Sequence, residues 1–151
     1  NTKKIYLNLK NMGLKVQIKN EKDTIDKSAE IILVNYYGAV TKYLKSIKQI
    51  FFGKSLLKKL EKVGGQNPID AAKIGCSIFH GPYVYNFNEI YKYLNTQNIS
   101  EEVKEPKVLA EKLITGFSKN FDKNNKNLYE LNNYSKKIFE GVINEYDKFT
   151  K

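Results

Sequence analysis

Ile31-Ile32-Leu33-Val34 is a run of four residues without a polar side chain. Such a run is typical of a strand that is buried on both faces of a parallel sheet. After it, apolar residues recur at helical spacing, at Val40, Tyr43, Leu44 and Ile47. A buried strand followed by an amphipathic helix is the repeating unit of α/β folds, so this stretch favours a parallel sheet covered by helices.

The same alternation continues on both sides of this stretch. Upstream, the pattern predicts a helix over residues 5–12 and an edge strand over 14–18. Downstream, it predicts strands at 49–52, 76–79 and 99–104, and helices at 68–74, 87–94, 110–121 and 128–149. The predicted fold class is therefore α/β, a Rossmann-like parallel sheet flanked by helices. The length favours a single domain over residues 1–151, with C-terminal helices from about residue 106.

Composition restricts the classes of function. The formal net charge is +10, and all 26 basic residues are Lys. Arg is the residue that base reading and bidentate phosphate binding favour, so a nucleic-acid partner is not expected. A basic nucleic-acid-binding module still stands as the alternative from another class, and it would bind with a steep salt dependence. The one cysteine, Cys76, excludes an internal disulfide and fits a reducing cytoplasm.

The stretch Gly64-Gly65-Gln66-Asn67-Pro68-Ile69-Asp70 has the composition of an anion site. The glycines allow a ligand to approach the backbone closely. Asn67 suits a helix N-cap and Pro68 the first helical position, which places the Asp70 carboxylate in the first turn. Free amides at a helix N-terminus attract anions. A capped helix in which Asp70 closes a capping box has the same spacing, and this second interpretation stays open.

Two further motifs follow predicted strands. Residues 51–55 read Phe-Phe-Gly-Lys-Ser and place a glycine and a hydroxyl at a turn, although a second glycine required for a P-loop is missing. Residues 79–83 read Phe-His-Gly-Pro-Tyr, and Asn86 then suits the cap of the next helix. His80 is either a catalytic base or a packed, hydrogen-bonded side chain, and no Cys, His and acid cluster supports a metal site.

Motifs at the carboxyl ends of successive parallel strands meet at one edge of the sheet, where open α/β sheets bind ligands. The convergence therefore predicts a nucleotide site. Its phosphate would lie near the helix N-terminus, and Asp70 would accept hydrogen bonds from ribose hydroxyls.

In this order the motifs resemble those of the Kdo transferases, enzymes that move 3-deoxy-D-manno-octulosonic acid (Kdo) from CMP-Kdo to a lipid A precursor. The resemblance covers about residues 5–95 and, more weakly, the C-terminal helices. The segments that carry the resemblance are Phe52-Gly53-Lys54-Ser55-Leu56, Gly64-Gly65-Gln66-Asn67-Pro68-Ile69-Asp70-Ala71-Ala72, Gly75, Gly81-Pro82 and Asn86-Phe87.

The resemblance implies the C-terminal half of a GT-B glycosyltransferase that binds CMP-Kdo without a cofactor or a metal. The nucleotide-binding residues that it implies are Gly53, Lys54, Ser55, Gly64, Gly65, Gln66, Asn67, Asp70, Gly81, Pro82 and Asn86.

Several residues depart from the family pattern. Gln66 stands where the family has His, Asp70 where it has Glu, and Lys54 where it has Gly. Ala39 lacks the carboxylate that the family carries in the corresponding upstream motif, and residues 58–63 lengthen the loop before Gly64. These departures also suit a third hypothesis, a non-catalytic remnant of a split gene.

The family's acceptor-binding N-terminal domain, with the glutamate that acts as general base, lies outside this sequence. The resemblance therefore implies no catalytic residue in this chain, which is expected to bind nucleotide weakly and not to transfer Kdo by itself. For the full-length protein it implies a lipid A precursor as acceptor and a location at the cytoplasmic face of the bacterial inner membrane, with peripheral membrane contact. The fragment itself is expected to be soluble.

Overall fold

The computed structural model describes residues 2–118 and, beyond them, Asn133, Lys136, Glu140, Ile143 and Lys148. Most of the predicted helix at 128–149 therefore lies outside the described residues. So do residues 119–121, the end of the predicted helix at 110–121. The chain divides into two compact units, and the boundary lies between Tyr43 and Leu44. A single domain over residues 1–151 stays a prediction.

The first unit contains a two-stranded parallel sheet. It comprises helix α1 (Thr2–Asn11), strand β1 (Val16–Lys19), strand β2 (Ile31–Val34) and the start of helix α2 (Ala39–Leu44). Val16 of β1 lies opposite Ile31 of β2. The residues of β2 are half-buried or exposed, so the prediction that this strand is buried on both faces is wrong. Within the described part of the chain, its sheet has two strands, so β2 has one strand neighbour there.

The second unit contains a three-stranded parallel sheet in which β4 is central. Each strand is followed by a loop and at least one helix, as in other parallel α/β units. The elements are strand β3 (Gln49–Phe52), a 3-10 helix (Lys58–Leu60), helix α3 (Ile69–Lys73), strand β4 (Ser77–His80), a 3-10 helix (Tyr85–Phe87), helix α4 (Asn88–Thr96), strand β5 (Ser100–Glu102) and helix α5 (Pro106–Ser118).

Both faces of this sheet are covered by helices. Because side chains alternate along a strand, Ile78 faces one side and Ser77 and Phe79 face the other. The first side holds the hydrophobic core, in which Phe52 and Ile78 pack with residues of α3 and α4, namely Ala71, Ala72, Tyr91 and Leu94. On the other side lies α5, whose Leu113 carbonyl accepts a hydrogen bond of 3.2 Å from the Gln49 amide. The predicted flanking of a parallel sheet by helices is confirmed.

Candidate nucleotide site

Two of the predicted motifs lie at the carboxyl edge of the three-stranded sheet. We call residues 53–55, which follow β3, the first rim loop, and residues 81–86, which follow β4, the third rim loop. Phe52 and His80 are register partners at the ends of these neighbouring parallel strands, so both loops begin at the same edge. The second rim loop, residues 64–68, leads into α3.

Ser55 joins the first and third rim loops. Its side chain is fully buried. The hydroxyl donates a hydrogen bond of 2.6 Å to the Phe52 carbonyl and accepts one of 2.8 Å from the Gly81 amide. The Ser55 carbonyl accepts a further hydrogen bond of 2.9 Å from the Tyr83 amide. Through its hydroxyl and its carbonyl, Ser55 therefore fixes the distance between the first and third rim loops.

Glycines allow the three rim loops to touch through their backbones. A Cβ atom on Gly64 would overlap the carbonyl oxygens of Tyr83 and Lys54, and one on Gly81 would overlap the backbone of Ser55. Gly65 has a φ of +84°, a left-handed conformation that favours glycine, and lies against Val84. The second rim loop therefore packs against both of the others, and the predicted convergence of the three motifs is present in the structure.

The second rim loop differs in detail from the predicted cap. Helix α3 starts at Ile69, one residue later than predicted, and Pro68 is the N-cap residue. The Asn67 side chain accepts a hydrogen bond of 3.0 Å from the Ile69 amide, so it still binds a free amide at the start of the helix. Asp70 is exposed in the first turn. No described residue accepts a hydrogen bond from the amides of Gly65, Gln66 or Asn67.

Lys54 adopts a backbone conformation that disfavours a side chain. Its φ is 62°, in the left-handed region, and it stands where the resembling family has glycine. A left-handed residue with a Cβ atom costs about 1–2 kcal/mol relative to an ordinary conformation. Lys54 therefore keeps an unfavourable backbone conformation at the rim, and its side chain is exposed there.

The predicted site residues differ in accessibility. Gly53, Lys54, Gln66, Asn67, Asp70 and Asn86 are exposed, Gly65 and Pro82 are half-buried, and Ser55, Gly64 and Gly81 are buried. Asn86 lies inside the 3-10 helix, and Phe87 rather than Asn86 is the N-cap residue of α4, so the predicted cap is wrong. The exposed residues are the ones whose side chains a ligand reaches first.

Two residues outside the predicted nucleotide-binding set, Tyr91 and His80, contact backbone carbonyls of the rim loops. The Tyr91 hydroxyl of α4 donates a hydrogen bond of 2.9 Å to the Gln66 carbonyl, and burial raises the pKa of this hydroxyl, so it stays a donor. His80 is 1% exposed, and its Nδ1 lies 2.8 Å from the Gly81 carbonyl. Of the two interpretations of His80, the structure shows the packed, hydrogen-bonded one.

Other parts of the second unit show different features. Two cavities of about 390 and 430 Å³ share Ser77, Phe79 and Glu101. The first extends along β5, and the second lies between α5 and the sheet, where Gln49 of β3 also lines it. None of the predicted site residues lines them. Within the described part of the chain, no group of His, Cys, Asp and Glu side chains is arranged to hold a metal. No helix among the described residues has the length and apolar character needed to cross a membrane.

The parallel sheet, the covering helices and the loops at its carboxyl edge define a Rossmann-like α/β domain. One solved structure with this fold is the C-terminal CMP-Kdo binding domain of WaaA from Acinetobacter baumannii. The two share 14% sequence identity and superpose with a TM-score of 0.74, over 86% of this chain and 67% of that one. The predicted fold is therefore confirmed. No family model matches the chain, and no curated protein matches it.

Proposed function

We propose that this chain is the donor-binding domain of a glycosyltransferase and that its donor is CMP-Kdo. The observation that carries the proposal is the meeting of three glycine-containing loops at the carboxyl edge of the sheet, where Ser55 and Gly64 join them. Open α/β sheets bind ligands at this edge. The domain of WaaA that shares this fold is a CMP-Kdo binding domain.

Each group at the rim has a role in this proposal. The amides of Gly65, Gln66 and Asn67 donate to the donor phosphate, because no described residue uses them. Helix α3 has only five residues, so these amides contribute more than its dipole does. The Asp70 carboxylate accepts hydrogen bonds from ribose hydroxyls, and Lys54 supplies a positive charge to the phosphate. Reaction is displacement of CMP by an acceptor hydroxyl, in which fixed amides stabilise the charge that develops on the departing phosphate.

Titration with CMP tests the proposal directly. Calorimetry should show binding, and amide NMR shifts should change at the rim loops and at Asp70. Asp70→Asn should weaken CMP binding about tenfold, since a hydrogen bond to a charged group is worth about 1.5 kcal/mol or more. The matched control is Glu111→Gln on α5, an exposed carboxylate away from the rim loops, which should leave CMP affinity unchanged. Absence of CMP binding at millimolar concentration would contradict the proposal.

The acceptor side belongs to the longer protein that the resemblance implies. The acceptor would be a lipid A precursor, and the general base would come from an acceptor domain outside this sequence, at the cytoplasmic face of the inner membrane. The chain by itself should then bind CMP but form no Kdo-lipid A from CMP-Kdo and lipid A precursor. Product formation by the isolated chain, measured by mass spectrometry, would show that the reacting groups lie within it.

A further inference from the structure

Helix α4 contacts two rim loops through polar side chains, not only through apolar packing. Tyr91 reaches the Gln66 carbonyl of the second rim loop. One turn further along the helix, the Asn95 side chain lies 3.2 Å from Nε2 of His80, whose Nδ1 contacts the Gly81 carbonyl of the third rim loop. The Tyr91 and His80 rings are themselves in contact, with centroids 4.2 Å apart. A single helix therefore contacts two loops through one continuous cluster, in which Tyr91 and His80 are buried and Asn95 is half-buried.

The Tyr91 contact fixes the orientation of a whole peptide group. The Gln66–Asn67 peptide is trans and therefore planar, so the Asn67 amide points away from the Gln66 carbonyl. Because the carbonyl is held towards α4, the Asn67 N–H is directed to the opposite side. No described residue accepts a hydrogen bond from this N–H. Rotation of the peptide would turn the carbonyl outwards and the N–H inwards.

The His80 contact places a hydrogen on Nδ1. A carbonyl oxygen only accepts, so Nδ1 must carry a hydrogen in order to bind Gly81. On the other side of the ring, Nε2 lies 3.2 Å from Oδ1 of Asn95. The same Oδ1 accepts a hydrogen bond from the Ser100 hydroxyl, so Asn95 links His80 to the start of β5.

We propose that Tyr91 is a positioning residue of the donor site. It holds the Gln66–Asn67 peptide so that the Asn67 N–H faces the donor phosphate. His80, which contacts Asn95, likewise fixes the third rim loop through the hydrogen bond from its Nδ1 to the Gly81 carbonyl. This inference rests on the proposed function and adds to it residues that touch the loops but not the ligand. Without the hydrogen bond to Tyr91, the Gln66–Asn67 peptide group could rotate. Its carbonyl oxygen would then face the donor phosphate for part of the time and repel it.

The test is Tyr91→Phe, which removes one hydroxyl and keeps the ring contacts with His80 and Phe52. CMP affinity should fall about five- to tenfold, and the CMP-induced shift of the Asn67 amide should be lost. The control is Ile99→Val, a core truncation that costs about 1 kcal/mol of stability without touching a rim loop. This control should leave CMP affinity unchanged, because affinity is measured on folded protein.

His80 is tested by a pair of variants. Asn places its side-chain NH₂ group near the position of Nδ1, so His80→Asn should retain more CMP affinity than His80→Leu. Equal affinities for the two variants would show that the hydrogen bond to Gly81 does not matter. In the wild-type protein, imidazole ¹⁵N shifts should show hydrogen on Nδ1.

A second readout needs no ligand. Backbone ¹⁵N relaxation should give a lower order parameter for the Asn67 N–H in Tyr91→Phe than in wild type and in Ile99→Val, because the peptide loses its anchor. An unchanged order parameter in Tyr91→Phe would overturn the positioning role, whether or not CMP binds. A lower order parameter with unchanged CMP affinity would overturn it too, since the orientation of the peptide would then be irrelevant to binding. Failure of the wild-type protein to bind CMP, with a lower order parameter in Tyr91→Phe, would overturn the proposed function and leave Tyr91 as the anchor of this loop.

Discussion

At the scale of single residues, the first rim loop contains two side chains that act in opposite ways. Ser55 is buried, and its hydroxyl bonds two loops together. Lys54 is exposed and strains the backbone. Both were predicted as nucleotide-binding residues from the same short motif. The structure indicates that Ser55 serves the site by shaping it, whereas Lys54 is available for a ligand.

Lys54→Gly should affect stability and binding in opposite directions. Glycine adopts a φ of 62° without strain, which offsets its larger backbone entropy, so the free energy of unfolding should stay equal or rise by up to about 1 kcal/mol. CMP affinity should fall about three- to fivefold through loss of the charge. Urea unfolding and calorimetry measure the two effects. Asn98→Gly is the matched control, because Asn98 also has a positive φ but lies between α4 and β5; its CMP affinity should not change.

Ser55→Ala should destabilise the protein by about 2–3 kcal/mol, because it leaves the buried Phe52 carbonyl and the Gly81 amide without their partner. Ser28→Ala removes an exposed hydroxyl that bonds Asp26 and should change the free energy of unfolding by less than about 0.5 kcal/mol. Chemical denaturation compares the two variants. Equal stability losses would contradict the role given to Ser55.

At the scale of elements, two glycines show how the neighbour decides the effect of a substitution. A Cβ atom on Gly81 would meet the backbone of Ser55 and Leu56, which cannot move without displacing the first rim loop. A Cβ atom on Gly116 of α5 would meet the end of the Gln49 side chain, which can rotate. The sequence alone does not distinguish these two positions.

Gly81→Ala should therefore cost about 3 kcal/mol of stability. Gly116→Ala should change stability by less than about 1 kcal/mol, since helix propensity improves by about as much as the lost Gln49 bond to Leu113 was worth. Movement of the Gln49 amide also releases its buried oxygen, which has no partner among the described residues. Thermal or urea unfolding of both variants checks the contrast, which a large loss in Gly116→Ala would contradict.

At the scale of the whole molecule, burial is concentrated in the second unit. The core cluster of buried residues begins at Leu44 and is built around β4, α3 and α4. In the first unit, α1 has no buried residue and β1 has only Lys19. Its Nζ is satisfied by the carbonyls of Asn20 and Glu21, with the Tyr36 ring nearby.

Local opening should accordingly need less free energy in the first unit. Amide hydrogen exchange in β1 and β2 should be at least about tenfold faster than in β4, because exchange protection follows the burial of the surrounding core. Mass spectrometry of the intact chain measures both regions in one experiment. Equal protection of β2 and β4 would show that the first unit gains stability from something other than its own buried side chains.

The sequence by itself determined the element types and the order of the motifs. Periodicity is a local property, so β3, β4, α4 and the glycine turns follow from spacing alone, and motif order led to a fold that the comparison confirms. Burial of β2 was mispredicted, because an apolar run does not reveal how many strand neighbours it has. The cap at Asn86 was mispredicted too, because a 3-10 helix there shifts the start of α4.

Only the tertiary structure decided which residues of the site face a ligand and which hold the loops. Ser55 and Asp70 both belong to the same family-like pattern, yet one is buried between loops and the other is exposed. Tyr91 gave no signal as a loop anchor, since its partner Gln66 is defined by a three-dimensional contact. For His80 the sequence left two interpretations open, and burial together with the contact to the Gly81 carbonyl decided between them. A hydrogen bond between residues 25 positions apart depends on the packing of a helix on a sheet, and no local pattern of side chains encodes it.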